Sequence, residues 1–144
     1  MRGSPLSIRW GWVLLGALGA EAATLPVGLA ITSIFGLVGL KSSGTFDPTN
    51  FLLSPPIFFL PLLAAGFLVA RRIGDRFALH GAAVGLIAAL VFLPILVWMP
   101  WMWEPAGPNY PLEAVNEVAK IFGGALGGYI AAKTSRARVA APLA

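Results

Sequence analysis

The stretch Leu112 to Lys133, LEAVNEVAKIFGGALGGYIAAK, places Glu113, Glu117 and Lys120 four and three residues apart inside an otherwise apolar run. At helical spacing all three share one face. Paired carboxylates beside an ammonium can form an ion pair, hold a cation or pass a proton. Glu21, in GALGAEAATLP, is a further charge in an apolar run, and His80 is the lone histidine. Glu113 suits the positive N-terminal end of its helix. Glu117 can pair with Lys120 within the helix, or Lys120 can reach Glu21 from another helix; spacing leaves both pairings open.

Two adjacent pairs of small residues follow, Gly123 with Gly127 and Gly124 with Gly128. Such pairs let another helix approach closely, either a neighbour in the same chain or a second copy. His80 reads as an interfacial hydrogen-bonding residue with a proton relay as the alternative, because no second histidine or cysteine is present to complete a metal site. No nucleophile elbow, phosphate-binding glycine loop or metal-binding histidine pair occurs. The expectation is therefore no catalytic residue, no metal, no cofactor and no enzyme.

The elements that carry these residues follow from composition. Of 144 residues, 58% are hydrophobic and 11% charged, and the mean hydropathy is +0.82. A soluble domain carries about 25% charged residues. At about 20 apolar residues per crossing, the length suits about four spans. An all-α, polytopic four-transmembrane-helix bundle forming a single membrane domain is predicted. Its spans fall at about 10–40, 51–70, 78–98 and 112–133, with a loose basic tail at 134–144. The absence of cysteine removes disulfides, thiolate sites and thiol nucleophiles.

Taken in order, Arg2 and Arg9 precede a long apolar run that contains Pro26. A signal peptide cleaved near Ala20-Glu21-Ala22 is the alternative to a first span. The apolar run continues well past that point, and as one helix Trp10 to Leu40 would measure roughly 46 Å against a core of about 30 Å. It must tilt, kink at Pro26, or end near Gly36 or Gly39. Lys41 to Asn50 is a polar loop in which Asp47-Pro48 or Ser54-Pro55 caps the second helix. That helix ends in the basic turn Arg71-Arg72-Ile73-Gly74-Asp75-Arg76. Between the third and fourth spans, Trp98, Trp101, Trp103 and Tyr110 lie among prolines, a composition suited to the headgroup level.

Lysine and arginine set the orientation. Arg2, Arg9, Arg71, Arg72, Arg76, Lys133, Arg136 and Arg138 fall on one side and Lys41 on the other, which places both termini in the cytoplasm. The formal charge of +4 then marks the leaflet rich in anionic lipid, and no nucleic-acid role is needed. The expected location is the cell (inner) membrane, with the bilayer as partner and a homo-oligomer or larger membrane complex allowed. Counted inward from that side, Glu21 lies about 14 Å deep and Lys120 about 20 Å deep, within reach of one another.

Three segments, GALGAEAATLP, ARRIGDRFALHGAAVGLIAAL and AKIFGGALGGYIAAK, together resemble small uncharacterised bacterial four-span membrane proteins, a likeness that covers most of the chain and implies no assigned activity. Separately, LLGALGAEAATLP is similar to the first helix of small multidrug resistance transporters, whose membrane-embedded glutamate binds protons and cationic drugs. Glu21 is the matching position. That likeness covers about a dozen residues; this chain has a longer first span and charges in its last helix.

Overall fold

The computed structural model describes residues 8–40, 47, 49–98 and 109–140. Within them the chain forms four helices, α1 (Trp10–Leu37), α2 (Asn50–Ile73), α3 (Phe77–Trp98) and α4 (Tyr110–Ala140). Arg2, Lys41 and the loop carrying Trp101 and Trp103 lie outside the described residues.

Local chemistry places each boundary. α1 runs through Pro26 and stops at Leu37. The stop is a left-handed turn at Gly39, φ +82°, where Leu40 N–H donates to the Phe35 carbonyl and Gly39 N–H to the Gly36 carbonyl. That pair of bonds satisfies the last carbonyls of the helix and needs a residue without a Cβ at the turn. Before α2, the Asp47 carboxylate accepts the Thr49 N–H at 2.8 Å; Thr49 is the capping residue and makes no side-chain capping bond, so the helix starts near the earlier of the two expected positions without the expected side-chain cap. α2 closes on Gly74, again left-handed, with Arg71 and Arg72 in its last turn, where cations suit the helix dipole.

α4 starts at an unexpected cap. Asn109 Oδ1 accepts the Leu112 N–H at 3.2 Å and the Asn109 carbonyl accepts the Glu113 N–H. Asparagine therefore supplies the terminal acceptor, and Glu113 sits one turn inside. At the other end the expected stop at Lys133 is corrected: the helix continues to Ala140. Residues 134–140, TSRARVA, contain no glycine or proline to end it, and alanine and arginine propagate a helix well.

α1, α2 and the Phe77–Pro94 part of α3 are long and apolar enough to cross a membrane. α4 is not among them, because charge fills its first half, so the fourth predicted span is the most polar helix. It is also the best packed, lying against both α2 and α3, whereas α1 lies on the opposite side of that pair. The side of α1 turned inward is narrow: Val13, Ala17 and Ala20 are buried, at one helical stripe's spacing. Leu25, Leu29 and Leu37 are 75%, 70% and 88% exposed. An outer surface of leucines on this scale calls for a partner other than water.

The glycines set the closeness of α4. A Cβ at Gly123 or Gly127 would strike α2 backbone at Phe59, Leu63 and Phe67, and one at Gly124 or Gly128 would strike α3 backbone at Gly81, Gly85, Phe77 and Ala78. The two glycine columns, one residue apart and so rotated by about 100°, serve two different neighbours within the chain. α3 answers with glycines of its own: a Cβ at Gly81 would meet the Gly124 carbonyl, and one at Gly85 the Lys120 carbonyl.

Candidate functional site

α4 presents Glu113, Asn116, Glu117 and Lys120 along one face, one turn before the glycine columns. Close packing of backbone at Gly124 and Gly85 draws the Lys120 side chain into the bundle, where it is fully buried. Its Nζ lies 3.0 Å from Oε1 of Glu117 and 3.0 Å from Oε1 of Glu21. Both pairings that spacing left open are made at once. Glu21 comes from α1, beside the buried Ala17 and Ala20, so the ion pair joins the two helices that flank α2 and α3 on opposite sides.

Aromatic faces complete the surroundings. The ammonium stands 4.9 Å from the ring centroid of Phe58 on α2 and 4.4 Å from that of Phe92 on α3, inside the range of cation–π attraction. All four helices thus contribute a group to one cation. At 3.0 Å from the ammonium, both carboxylates are near enough for strong coulombic attraction in this apolar setting.

The exposure of the partners differs. Lys120 is sealed, whereas the Glu21 side chain is 21% and the Glu117 side chain 16% exposed. Asn116, also buried, donates from Nδ2 to Glu113 Oε2 at 3.4 Å and leaves Oδ1 without a partner. Asn116, Phe58 and Phe92 were not singled out by sequence reasoning. Asparagine in the middle of an apolar helix face was a usable signal for the first; the two phenylalanines are indistinguishable from their apolar neighbours until the helices are placed. Among the described residues no three His, Cys, Asp or Glu side chains group as metal ligands.

His80 lies apart from this cluster, at the basic-turn end of the bundle and fully buried. Its Nε2 accepts the Arg9 N–H at 3.3 Å, and Nδ1 lies 3.2 Å and 3.3 Å from the carbonyls of Asp75 and Arg76. Two carbonyls beside Nδ1 assign the proton to that nitrogen, leaving Nε2 as the acceptor. The ring ties the start of α1 to the α2–α3 turn. His80→Leu should leave the Arg9 N–H without its acceptor and cost about 1–3 kcal/mol, read as a lower midpoint on dodecyl sulfate titration in mixed micelles, while Asp75→Asn leaves the midpoint in place.

No known protein family, curated protein or solved structure matches this chain. A functional reading therefore stands on the geometry of the Glu21–Lys120–Glu117 cluster and on the distribution of charge around the bundle.

Proposed function

We propose that the chain is an integral protein of the cell (inner) membrane that crosses the bilayer four times with both termini cytoplasmic, and that it serves as a structural or accessory bundle. One observation carries this: an ammonium sealed between carboxylates of α1 and α4 and ringed by α2 and α3. In hydrocarbon such charges are several kcal/mol unfavourable alone, and they become a fastener when matched. The described basic residues Arg9, Arg71, Arg72 and Arg76 gather at one end of the bundle with the α4 residues Lys133 and Arg136 on the same side by chain order, which supports the cytoplasmic assignment.

Two measurements test this. Tags at each end should both be inaccessible to an impermeant label added outside intact cells; labelling of one end alone sinks the topology. In a double-mutant cycle, Glu21→Gln and Lys120→Met should show a coupling of about 1–3 kcal/mol in micellar unfolding. Additive losses would mean that the pair contributes no fastening.

The second reading is proton-coupled transport of a small cation or ion, with Glu21 as the exchanging site. It is favoured by the imbalance of two carboxylates against one ammonium and by the partial exposure of Glu21. A proton or monovalent cation balances that excess. Purified protein should then release protons when cationic ligands are added. Silence of the wild type across a broad cation panel removes this reading and leaves the first.

A further inference from the structure

α1 and α2 do not close on one another along their whole length. They touch where Gly16 admits the Val69 side chain and again where the Ile57 side chain lies against Gly28, and between them runs a groove of about 650 Å³ with an almost wholly apolar lining. Small residues, among them Gly19, Ala23 and Ala64, open space in its lining beside larger ones such as Leu15 and Leu60, and Leu68 stands on its rim, 62% exposed. On α2 the lining reaches from Leu60 to Arg72, about 18 Å of helix and slightly more than one leaflet of a core about 30 Å thick. The volume falls in the usual range for a small-molecule site, about 300–1,000 Å³.

One end of this groove is different in kind. Arg72 closes it, and the guanidinium lies 5.3 Å from the ring centroid of Trp12, which also lines the groove. Among the described residues Arg72 forms no ion pair. Its charge is held over a tryptophan at the basic end of the bundle, beside Arg71 and within one turn of the α2–α3 junction. An apolar trough of leaflet depth that ends in an unpaired guanidinium matches one ligand chemistry: a hydrocarbon chain joined to an anionic headgroup.

We infer that the α1–α2 groove seats one acyl chain of an anionic phospholipid of the cytoplasmic leaflet, with its phosphate at Arg72. This rests on the membrane reading above and adds to it a specific lipid position. Arg72 selects charge, and the small residues Gly19, Ala23 and Ala64 select a flexible chain by leaving it room. Trp12 marks the headgroup level.

The test uses the full chain in mild detergent with added phosphatidylglycerol or phosphatidylcholine, read by native mass spectrometry. One phosphatidylglycerol should stay bound per chain, at least about fivefold more often than phosphatidylcholine, the factor expected for one basic residue near anionic lipid. Arg72→Gln should remove that preference. Gly19→Phe should abolish retention of both lipids without unfolding the protein, because nothing lies within 4 Å of a Cβ built at Gly19; unchanged helicity and midpoint verify the fold. Lys133→Gln, at the same end on α4, should change nothing. Equal retention of the two lipids overturns the proposal, as does full binding by Gly19→Phe or a lipid-free dimer in which a second copy fills the groove. Failure of the membrane reading looks different: the chain would stay dispersed without detergent.

Discussion

Lys120→Met is expected to cost the bundle about 3–5 kcal/mol, the loss seen when one partner of a buried ion pair is removed. The size follows from what is left behind. Methionine fills much of the same volume and keeps contact with Phe58 and Phe92, so packing changes little. What changes is charge: Glu21 and Glu117 both lose a cation at 3.0 Å and face each other across the bundle. Glu117→Gln should be much milder, because the Lys120–Glu21 pair then stands matched one to one. The neutral variant carrying Glu21→Gln, Glu117→Gln and Lys120→Met together should recover most of the loss, since a neutral interior of similar volume replaces a charged one. Unfolding by dodecyl sulfate in mixed micelles gives all three values. Should Lys120→Met match Glu117→Gln, the ammonium is not the fastener of α1 to α4.

Much of this architecture was visible in the residues. Four helices follow from runs of apolar residues separated by polar or glycine-containing breaks, and Gly39 and Gly74 end helices for the reason that glycine commonly does. Depth arithmetic already put Glu21 and Lys120 within reach of one another. Spacing was unable to choose between Glu117 and Glu21 because the lysine satisfies both geometries: one partner lies one turn away on its own helix and the other arrives from outside. The end of α4 was misplaced because Lys133 marks a change in polarity, whereas helix propagation depends on backbone and side-chain propensity, which continues through Ala140. The groove was invisible for a different cause. It depends on how α1 and α2 stand apart between their contacts at Gly16 and Gly28, a relation between two helices that neither encodes alone.

Gly124→Ala is expected to be among the most damaging of the single methyl additions, at or above the upper part of the 1–3 kcal/mol range, about 3 kcal/mol, for inserting atoms into a packed interior. The added Cβ would meet the Gly81 carbonyl and the Gly85 backbone, which cannot swing aside as a side chain does. α2 is engaged as well, because a Cβ at Gly66 would press on the Gly124 carbonyl; three helices converge at this level. Relief requires moving α3 away from α4, and that movement also carries Phe92 from the Lys120 ammonium one turn earlier. Gly124→Ala should therefore reduce the Glu21–Lys120 coupling as well as overall stability. Gly11→Ala, where open space surrounds the position, supplies the control: it keeps the wild-type midpoint or raises it slightly, since alanine favours a helix over glycine by about 1 kcal/mol in water. Equal midpoints for the two variants would show that the glycine columns do not set the α3–α4 distance, and the placement of Lys120 would need another cause.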